Sequence, residues 1–518
     1  MSLVDLLMAA EAAQSHAAVR RTAYRHQHLS AKPLVVVAYN LSGEAAAPLG
    51  IMYGTESDAE RARLVVAAEP RNRESRFEAI NAFAADFVEF IGPYLQLTTV
   101  PKKGGGFRQV ASDVPQVVVP NRATRSYLGS RLGRSLRYLG LGETHEVPEA
   151  TQWTGAHLSW FAEHSQLPGQ SVFLAMTESL AQHFATGQSS LEDENLATLL
   201  AWIEGVPGGL LPALELLEES AYGPVPNPRW EATLAPFVKA YTEGLRADDE
   251  AKMNLAFSRV ESETRQALKE AYEATHRAIG ILRPIAPAAG VTGRWQTDKY
   301  EWSAHARRCQ RGIPRFARRH DPLRAARALQ RWTSAADALE MQQAFDDPLI
   351  MARLDADGRC ATGDVLAIDW NNREVKPGGK NRTKVPLVEL ALTAPTRLLR
   401  DEIVRWTEDQ RVKGVVRSVD SASMTIAVTN GMKALVDASV ATGAEMLFVN
   451  LNPWEGRDPW APDEVPWTHR APTTSDLAGE SSLGGGDDDG SPDMTLDELG
   501  ALPIVGVVDP DDEPGVVL

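Results

Sequence analysis

Cysteine is almost absent from this chain of 518 residues, which contains only Cys309 and Cys360. Two cysteines exclude a disulfide framework and a cysteine-rich zinc site. Long apolar runs are lacking as well, because no stretch reaches the roughly 18 apolar residues that a membrane-spanning helix requires. The first 18 residues have neither the basic start nor the cleavage pattern of a secretion signal. The sequence therefore predicts a cytoplasmic protein with no membrane partner.

The short motifs that mark common enzymes are also missing. The chain has no Walker A motif, no dinucleotide fingerprint, no HExxH and no Gly-x-Ser-x-Gly turn. His157, His164 and His183 lie in apolar helical runs without the spacing of metal ligands, which favours structural roles. We therefore predict no catalytic residue, no metal and no cofactor.

One weak pattern points to catalysis. The acid pair and lysine of metal-dependent nucleases are matched loosely by Asp364, Asp369, Glu374 and Lys376. An acid two residues before a lysine occurs again at Glu250 and Lys252, so the pattern has little specificity. A metal-dependent nuclease is kept as the second alternative function.

Negative charge is concentrated at one end of the chain. The net charge is −16, and residues 455–518 hold sixteen acidic residues against Arg457 and Arg470, a balance of −14. This segment is rich in Pro, Gly, Ser and Asp, which predicts a disordered acidic tail. The preceding 454 residues are therefore nearly neutral.

The length exceeds what one hydrophobic core holds, and the periodicity of apolar residues changes several times along the chain. We predict an α+β multidomain protein with five parts. These are a small N-terminal α/β domain (1–145), a helical domain (146–290), a basic helical connector (291–357), a small antiparallel β-barrel domain (358–454) and the disordered acidic tail (455–518).

Helical periodicity dominates the first two thirds of the sequence. A helix is predicted over 4–24, a second helix begins after the cap residue Asn72, and residues 150–245 are predicted to be helical throughout. The longest predicted helix, 249–283, has small residues at alternating spacings of four and three, as in a coiled-coil seam. We expect it to form a long helical hairpin with a predicted helix over 322–345.

Strand periodicity appears in the segment 362–432. Five short alternating runs (363–370, 385–392, 403–407, 412–419 and 424–428) are separated by turn-forming residues, which predicts a small barrel. Trp370 and Trp406 are expected in its core. The connection 371–384 is polar and rich in Gly and Pro, so we expect it to project into solvent with its basic residues.

Residues 413–428, a glycine-led strand, turn and strand, carry a resemblance to known proteins. The segment 362–432 resembles small nucleic-acid-binding barrels of the OB and KOW type and the accessory barrel of some RNA and DNA helicases. This resemblance implies that the protein binds DNA or RNA and has a partner protein such as a helicase.

Two further segments concentrate positive charge. Residues 102–137 hold eight Lys or Arg and one acid, and residues 294–331 hold eleven against three acids. Arginine forks pair well with phosphate oxygens, so both segments fit phosphate contacts. The predicted nucleic-acid-binding residues are Lys102, Lys103, Arg125, Arg131, Arg134, Arg137, Arg307, Arg308, Arg315, Arg318, Arg319, Lys376, Lys380, Arg382 and Lys384.

Taken with the missing enzyme motifs, this charge distribution predicts a non-catalytic nucleic-acid-binding subunit or adaptor of a larger cytoplasmic machine. The alternative is a protein-interaction scaffold whose helices and acidic tail dock on partners, because apolar residues embedded in acid commonly bind another surface. In that case the basic segments would contact the tail of the same chain.

Overall fold

A computed structural model describes residues 3–40, 47–102, 105–137, 139, 147–217, 222–316, 322–375 and 381–451. Several predictions of the sequence analysis lie outside the described residues: the acidic tail (455–518), Lys103, Arg318, Arg319, Lys376 and Lys380.

Helices and strands alternate in the first half of the chain, and strands dominate its end. The α-helices are α1 (Leu3–Ser15), α2 (Arg73–Ile91), α3 (Arg122–Ser126), α4 (Arg134–Leu136), α5 (Glu149–His164), α6 (Met176–His183), α7 (Leu196–Glu204), α8 (Leu210–Leu217), α9 (Pro228–Ala247), α10 (Glu250–Leu282), α11 (Val291–Cys309), α12 (Pro322–Asp346), α13 (Pro348–Ala356) and α14 (Met432–Asp437). The strands are β1 (Val19–Arg20), β2 (Leu34–Asn40), β3 (Pro48–Gly54), β4 (Arg63–Val66), β5 (Leu97–Pro101), β6 (Phe107–Ala111), β7 (Val117–Val119), β8 (Phe173–Ala175), β9 (Phe184–Ala185), β10 (Cys360–Asp369), β11 (Arg373–Val375), β12 (Arg382–Lys384), β13 (Leu387–Leu392), β14 (Ile403–Trp406), β15 (Lys413–Val419), β16 (Ser423–Asn430) and β17 (Glu445–Val449).

A five-stranded mixed sheet forms the centre of the first half, in the order β4-β3-β2-β7-β8. Strands β2, β7 and β8 are parallel, and β3 and β4 complete the sheet as antiparallel neighbours. All seven residues of β2 are buried, as expected for a strand covered on both faces. Leu34 and Val36 contribute to the core shared with α2 and α5, whereas Val35 and Val37 contribute to the core shared with α10.

Strand β8 belongs to this sheet, although helices are predicted from the sequence throughout 150–245. That prediction is wrong at β8 and at β9, which pairs with β1. The short run Phe173–Ala175 is too brief to show a strand period, and tertiary pairing decides its conformation. A domain boundary at residue 145 would pass through the sheet, since β8 follows it.

The first predicted helix also ends early. Helix α1 stops at Ser15, and His16 has a φ of 53°, a left-handed backbone that does not continue a right-handed helix. Residues 19–20 then pair with β9 as a strand. The predicted helix over 4–24 is therefore confirmed only in its first half.

The long helix α10 is present at the predicted place, with the Asp249 side chain accepting a hydrogen bond from the Lys252 N–H as its N-cap. The predicted helical hairpin with the helix over 322–345 is wrong. Helix α10 packs antiparallel to α9, which it follows after two residues, and α12 packs on α13. The small residues of α10 face the sheet instead, because Ala271, Ala274 and Ala278 lie in the core cluster that contains Val35 and Val37 of β2, and Thr264 lies against Gly50 of β3.

A closed antiparallel barrel of six strands forms the end of the described chain, in the order β10-β13-β16-β15-β14-β17. The five predicted strands are confirmed, and β17 closes the barrel by pairing with both β10 and β14. Trp406 is buried in the barrel core as predicted, and Trp370 packs half-buried against it.

The buried carboxylate of Asp347 connects the part of the chain that forms the mixed sheet with the part that forms the barrel. Its Oδ2 accepts hydrogen bonds from the backbone N–H groups of Ala23 (2.8 Å) and Tyr24 (3.0 Å) and lies 3.1 Å from His26 Nε2. Its Oδ1 accepts from the Leu349 N–H at 2.9 Å and so caps α13. His26 N–H in turn donates to His183 Nε2 at 3.2 Å.

Within the described part of the chain, no helix has both the length and the apolar character needed to cross a bilayer.

Replacing Gly50 by Ala should destabilise the protein, because a Cβ there would lie 2.5 Å from Thr264 Cγ2. We expect a loss of about 1–3 kcal/mol, the usual cost of overfilling a packed interface. Gly280→Ala at an exposed position of α10 is the matched control, since a Cβ there meets nothing within 4 Å and should stabilise the helix by up to about 1 kcal/mol. Denaturant unfolding measures both changes, and equal effects would contradict the packing of α10 on β3.

Stability should also fall between about pH 6.5 and pH 4, because burial, together with the charges of His26, Arg25 and Arg20, lowers the pKa of His183 to about 4. Below about pH 6.5 the unfolded state binds a proton on His183, whereas the folded state binds it only near pH 4. The stability that is present above about pH 6.5 is therefore lost as the pH falls. His183→Gln should reduce the slope of unfolding free energy against pH by up to about 1.4 kcal/mol per unit. The exposed His16→Gln is the control, and an unchanged slope in His183→Gln would contradict this origin.

Candidate nucleic-acid interface

The connection predicted to project from the barrel forms a two-stranded antiparallel ribbon, β11–β12, between β10 and β13. Arg373 lies opposite Lys384, and Val375 lies opposite Arg382. Side chains of opposite residues share one face of such a pair, as do those of alternate residues along a strand. Arg373, Val375, Arg382 and Lys384 therefore share one face, and all four are exposed.

The other face of the ribbon carries Glu374 and Thr383, which are half-buried. Glu374 accepts hydrogen bonds from the guanidinium of Arg417, which belongs to barrel strand β15. Glu374 is the one acidic residue of β11 and β12, and it is paired with Arg417 on the face opposite the cations. The ribbon thus presents three positive charges on its exposed face and no negative charge.

A second basic group lies on the continuous helical segment made of α3, a π-helical stretch (Tyr127–Gly133) and α4. Gly129 and Gly133 allow this segment to approach α5 closely, because a Cβ at either position would lie 2.8 Å from Ala162 or Leu158. Arg131 and Arg134 are exposed, and among the described residues neither side chain has an ion pair or a hydrogen bond. Arg137 is half-buried beside Gly155 of α5.

A third basic group surrounds the hairpin β5–β6, which packs on α11. Arg108 of the hairpin donates to the Tyr300 hydroxyl at 2.7 Å, and Arg307 of α11 donates to the Gln109 carbonyl at 2.9 Å. Lys102 is half-buried near the tip of the hairpin, where the Phe107 side chain is 75% exposed. The exposure of Phe107 was not predicted from the sequence, because a single exposed aromatic residue leaves no periodic pattern.

The remaining predicted residues differ in their availability to a ligand. Arg315 is exposed, whereas burial lowers the pKa of the half-buried Arg308. Arg125 forms an ion pair with Glu178 (2.6 Å), and its side chain is only 16% exposed. Arg125 lines a polar cleft of about 280 Å³ at the carboxyl end of β8, together with Glu178 and Gln182. The structure therefore gives Arg125 an acidic partner within the same chain, and a phosphate contact of Arg125 stays a prediction.

The residues of the nuclease alternative do not converge on a metal site in the described part of the chain. Asp364 and Asp369 are exposed on β10, and Asp369 Oδ1 accepts from the Asn371 N–H. Glu374 is bonded to Arg417. A grouping of possible metal ligands occurs elsewhere among the described residues, at His157, His305 and Cys309.

That grouping is buried between α5 and α11. His157 Nδ1 lies 3.0 Å from His305 Nε2, and Cys309 Sγ lies 3.6 Å from the same His305 nitrogen. Burial lowers the pKa of His157 to about 3 and the pKa of His305 well below its usual value. Burial also raises the pKa of the Cys309 thiol to about 12. All three groups are therefore uncharged at neutral pH when nothing is bound.

Comparison with known proteins gives no relative: no protein-family model, no curated protein and no solved structure matches this chain. Nothing in these comparisons links the six-stranded barrel to barrels of the OB or KOW type.

Proposed function

We propose that this protein binds nucleic acid through the phosphate backbone, without catalysis, as a subunit or adaptor of a larger machine. The observation that carries the proposal is the ribbon β11–β12, whose exposed face holds Arg373, Arg382 and Lys384. A two-stranded ribbon fits the width of a DNA major groove, and arginine forks bind phosphate oxygens in a bidentate manner.

The charge pattern of the ribbon favours an anionic ligand over simple solvation. Like charges directly opposite each other destabilise a strand pair, and Arg373 lies opposite Lys384. An anion bound to this face would relieve that repulsion. The ion pair of Glu374 with Arg417 fixes the ribbon to the barrel from the opposite face, so the cations point away from the barrel surface.

Helices packed against α5 supply two further basic surfaces. The segment with Arg131 and Arg134 packs on one side of α5, and α11 with Arg307 contacts it through the buried pair His157 and His305. The exposed Phe107 in the hairpin on α11 could stack on a base, since aromatic rings serve as stacking platforms for single strands.

One observation favours the scaffold alternative. Helix α1 exposes Leu3, Leu6 and Leu7, which lie on one side of the helix at spacings of three and four. Such an apolar stripe fits a groove on a partner protein. An adaptor would use both surfaces, so this stripe does not compete with nucleic-acid binding.

Removing the three ribbon cations should weaken nucleic-acid binding and its salt dependence. We expect the variant Arg373→Gln, Arg382→Gln, Lys384→Gln to lower the slope of log affinity against log salt by about 2–3, since each phosphate contact contributes about 0.9. At about 0.1 M salt the loss of affinity should be roughly 100-fold. Fluorescence anisotropy with DNA and RNA oligonucleotides at several salt concentrations measures both.

The control for the ribbon variant changes an equal number of exposed cations elsewhere: Lys239→Gln, Arg246→Gln and Arg259→Gln on α9 and α10. This control should leave the slope within about one contact of the parent protein. Equal losses in both triple variants would indicate binding by net charge alone. Affinity of the parent protein that does not change with salt would contradict the phosphate mechanism.

The helical cations should contribute independently. Arg131→Gln with Arg134→Gln should lower the salt slope by about 2 if both contact phosphates, with Arg246→Gln and Arg259→Gln as the matched pair. The thermal unfolding midpoint should change little, because neither side chain has a partner among the described residues. Unchanged binding in this variant would remove the helix from the interface and leave the ribbon as the site.

A further inference from the structure

Helices α5 and α11 meet at a polar cluster enclosed by aromatic rings. His157 and His305 are completely buried, and the rings of Trp160, Trp302 and Phe316 lie within 6.3 Å of the His305 ring centroid. Cys309 is one helical turn beyond His305 on α11 and therefore lies on the same side of that helix. A nitrogen of each histidine and the sulfur of Cys309 all lie within 4.8 Å of one another.

The distances between these atoms match a common metal ion. Two ligands bound at about 2.1 Å (nitrogen) and 2.3 Å (sulfur) to a tetrahedral zinc ion lie roughly 3.5 Å apart. The distance between Cys309 Sγ and His305 Nε2 is 3.6 Å, and that between the two histidine nitrogens is 3.0 Å. Small adjustments would therefore bring the three atoms to one ion.

Two ring nitrogens of the cluster have no hydrogen-bond partner among the described residues, namely His157 Nε2 and His305 Nδ1. The hydrogen bond between the two rings joins His157 Nδ1 to His305 Nε2, so the other nitrogen of each ring stays unpaired. An unpaired buried polar atom is costly. An ion held by His157 Nδ1 and His305 Nε2 takes the lone pairs of these two atoms, so the unpaired nitrogens carry the ring protons, and the metal bonds have to outweigh the cost of two unpaired N–H groups.

The ligand types also select among metals. Two imidazoles and one thiolate are borderline or soft ligands, which favour zinc over calcium or magnesium. The metal would have to displace the proton of the Cys309 thiol, as zinc does in cysteine-containing sites. Three protein ligands are also the number found in zinc sites that keep a position for water or another small ligand.

We propose that His157, His305 and Cys309 bind one Zn²⁺ ion between α5 and α11. The ion joins two helices that carry or contact the basic surfaces described above. The proposal is independent of the proposed function, because metal binding is measured without nucleic acid.

Metal content of the full chain, purified without chelators and with any affinity tag removed, tests the proposal. We expect about one zinc ion per chain by inductively coupled plasma mass spectrometry. Cys309→Ser should lower the zinc content about tenfold or more. Cys360→Ser is the matched control, because Cys360 is the other cysteine of the chain, lies in β10 and is not part of this cluster. The control should keep the metal content of the parent protein.

Cobalt substitution keeps the test decisive if zinc is lost during purification. Added to metal-free protein, Co²⁺ should produce a thiolate-to-cobalt charge-transfer absorption in the parent chain and in Cys360→Ser, and this band should be absent in Cys309→Ser. Circular dichroism establishes that each variant is folded. Folded parent protein that holds no zinc and gives no thiolate-to-cobalt band would overturn the proposal, as would a band that disappears in Cys360→Ser.

Discussion

The buried carboxylate of Asp347 is the contact on which the arrangement of the two halves depends. Burial alone would raise the pKa of this group, but hydrogen bonds from the Tyr24 N–H, the His26 ring and the Leu349 and Ala23 N–H groups lower the pKa below its usual value. The carboxylate therefore stays ionised inside the protein, which is tolerated only because its oxygens are satisfied. Since residues 23–26 precede β2 and α13 precedes β10, this side chain helps to position the sheet relative to the barrel, together with the contacts of Asp346 with Gly290 and of Arg353 with Asp5.

Local patterns in the sequence predicted the elements that local forces decide. Asn72 caps α2 as predicted, and Asp249, the first residue of the predicted helix 249–283, is the N-cap of α10. Alternation of apolar residues likewise predicted five barrel strands, because each buries one face in a small core. The basic connection 371–384 was placed correctly between two barrel strands, although its ribbon structure was not predicted.

Features that depend on contacts between distant residues were not predictable. The small residues of α10 suit the close approach of either a helix or a sheet, and the sequence does not show that Gly50 of β3 lies against this helix. β8 has three residues and acquires its strand conformation from β7. His157 and His305 are 148 residues apart, so no spacing in the sequence brings their rings together. The one-sided charge of β11–β12 likewise depends on register, which the sequence alone does not define.

Closure of the barrel by β17 has a consequence for the order of events during synthesis. The pairing of β10 is completed late, because its two neighbours in the barrel are β13 and β17, and β17 is synthesised some ninety residues after β10. At a synthesis rate of about 5–20 residues per second, one edge of β10 stays unpaired for roughly 4–18 s on the ribosome. An unpaired strand edge can pair with a strand of another chain. During this interval a chaperone or a strand of another chain therefore competes with β17 for the open edge of β10.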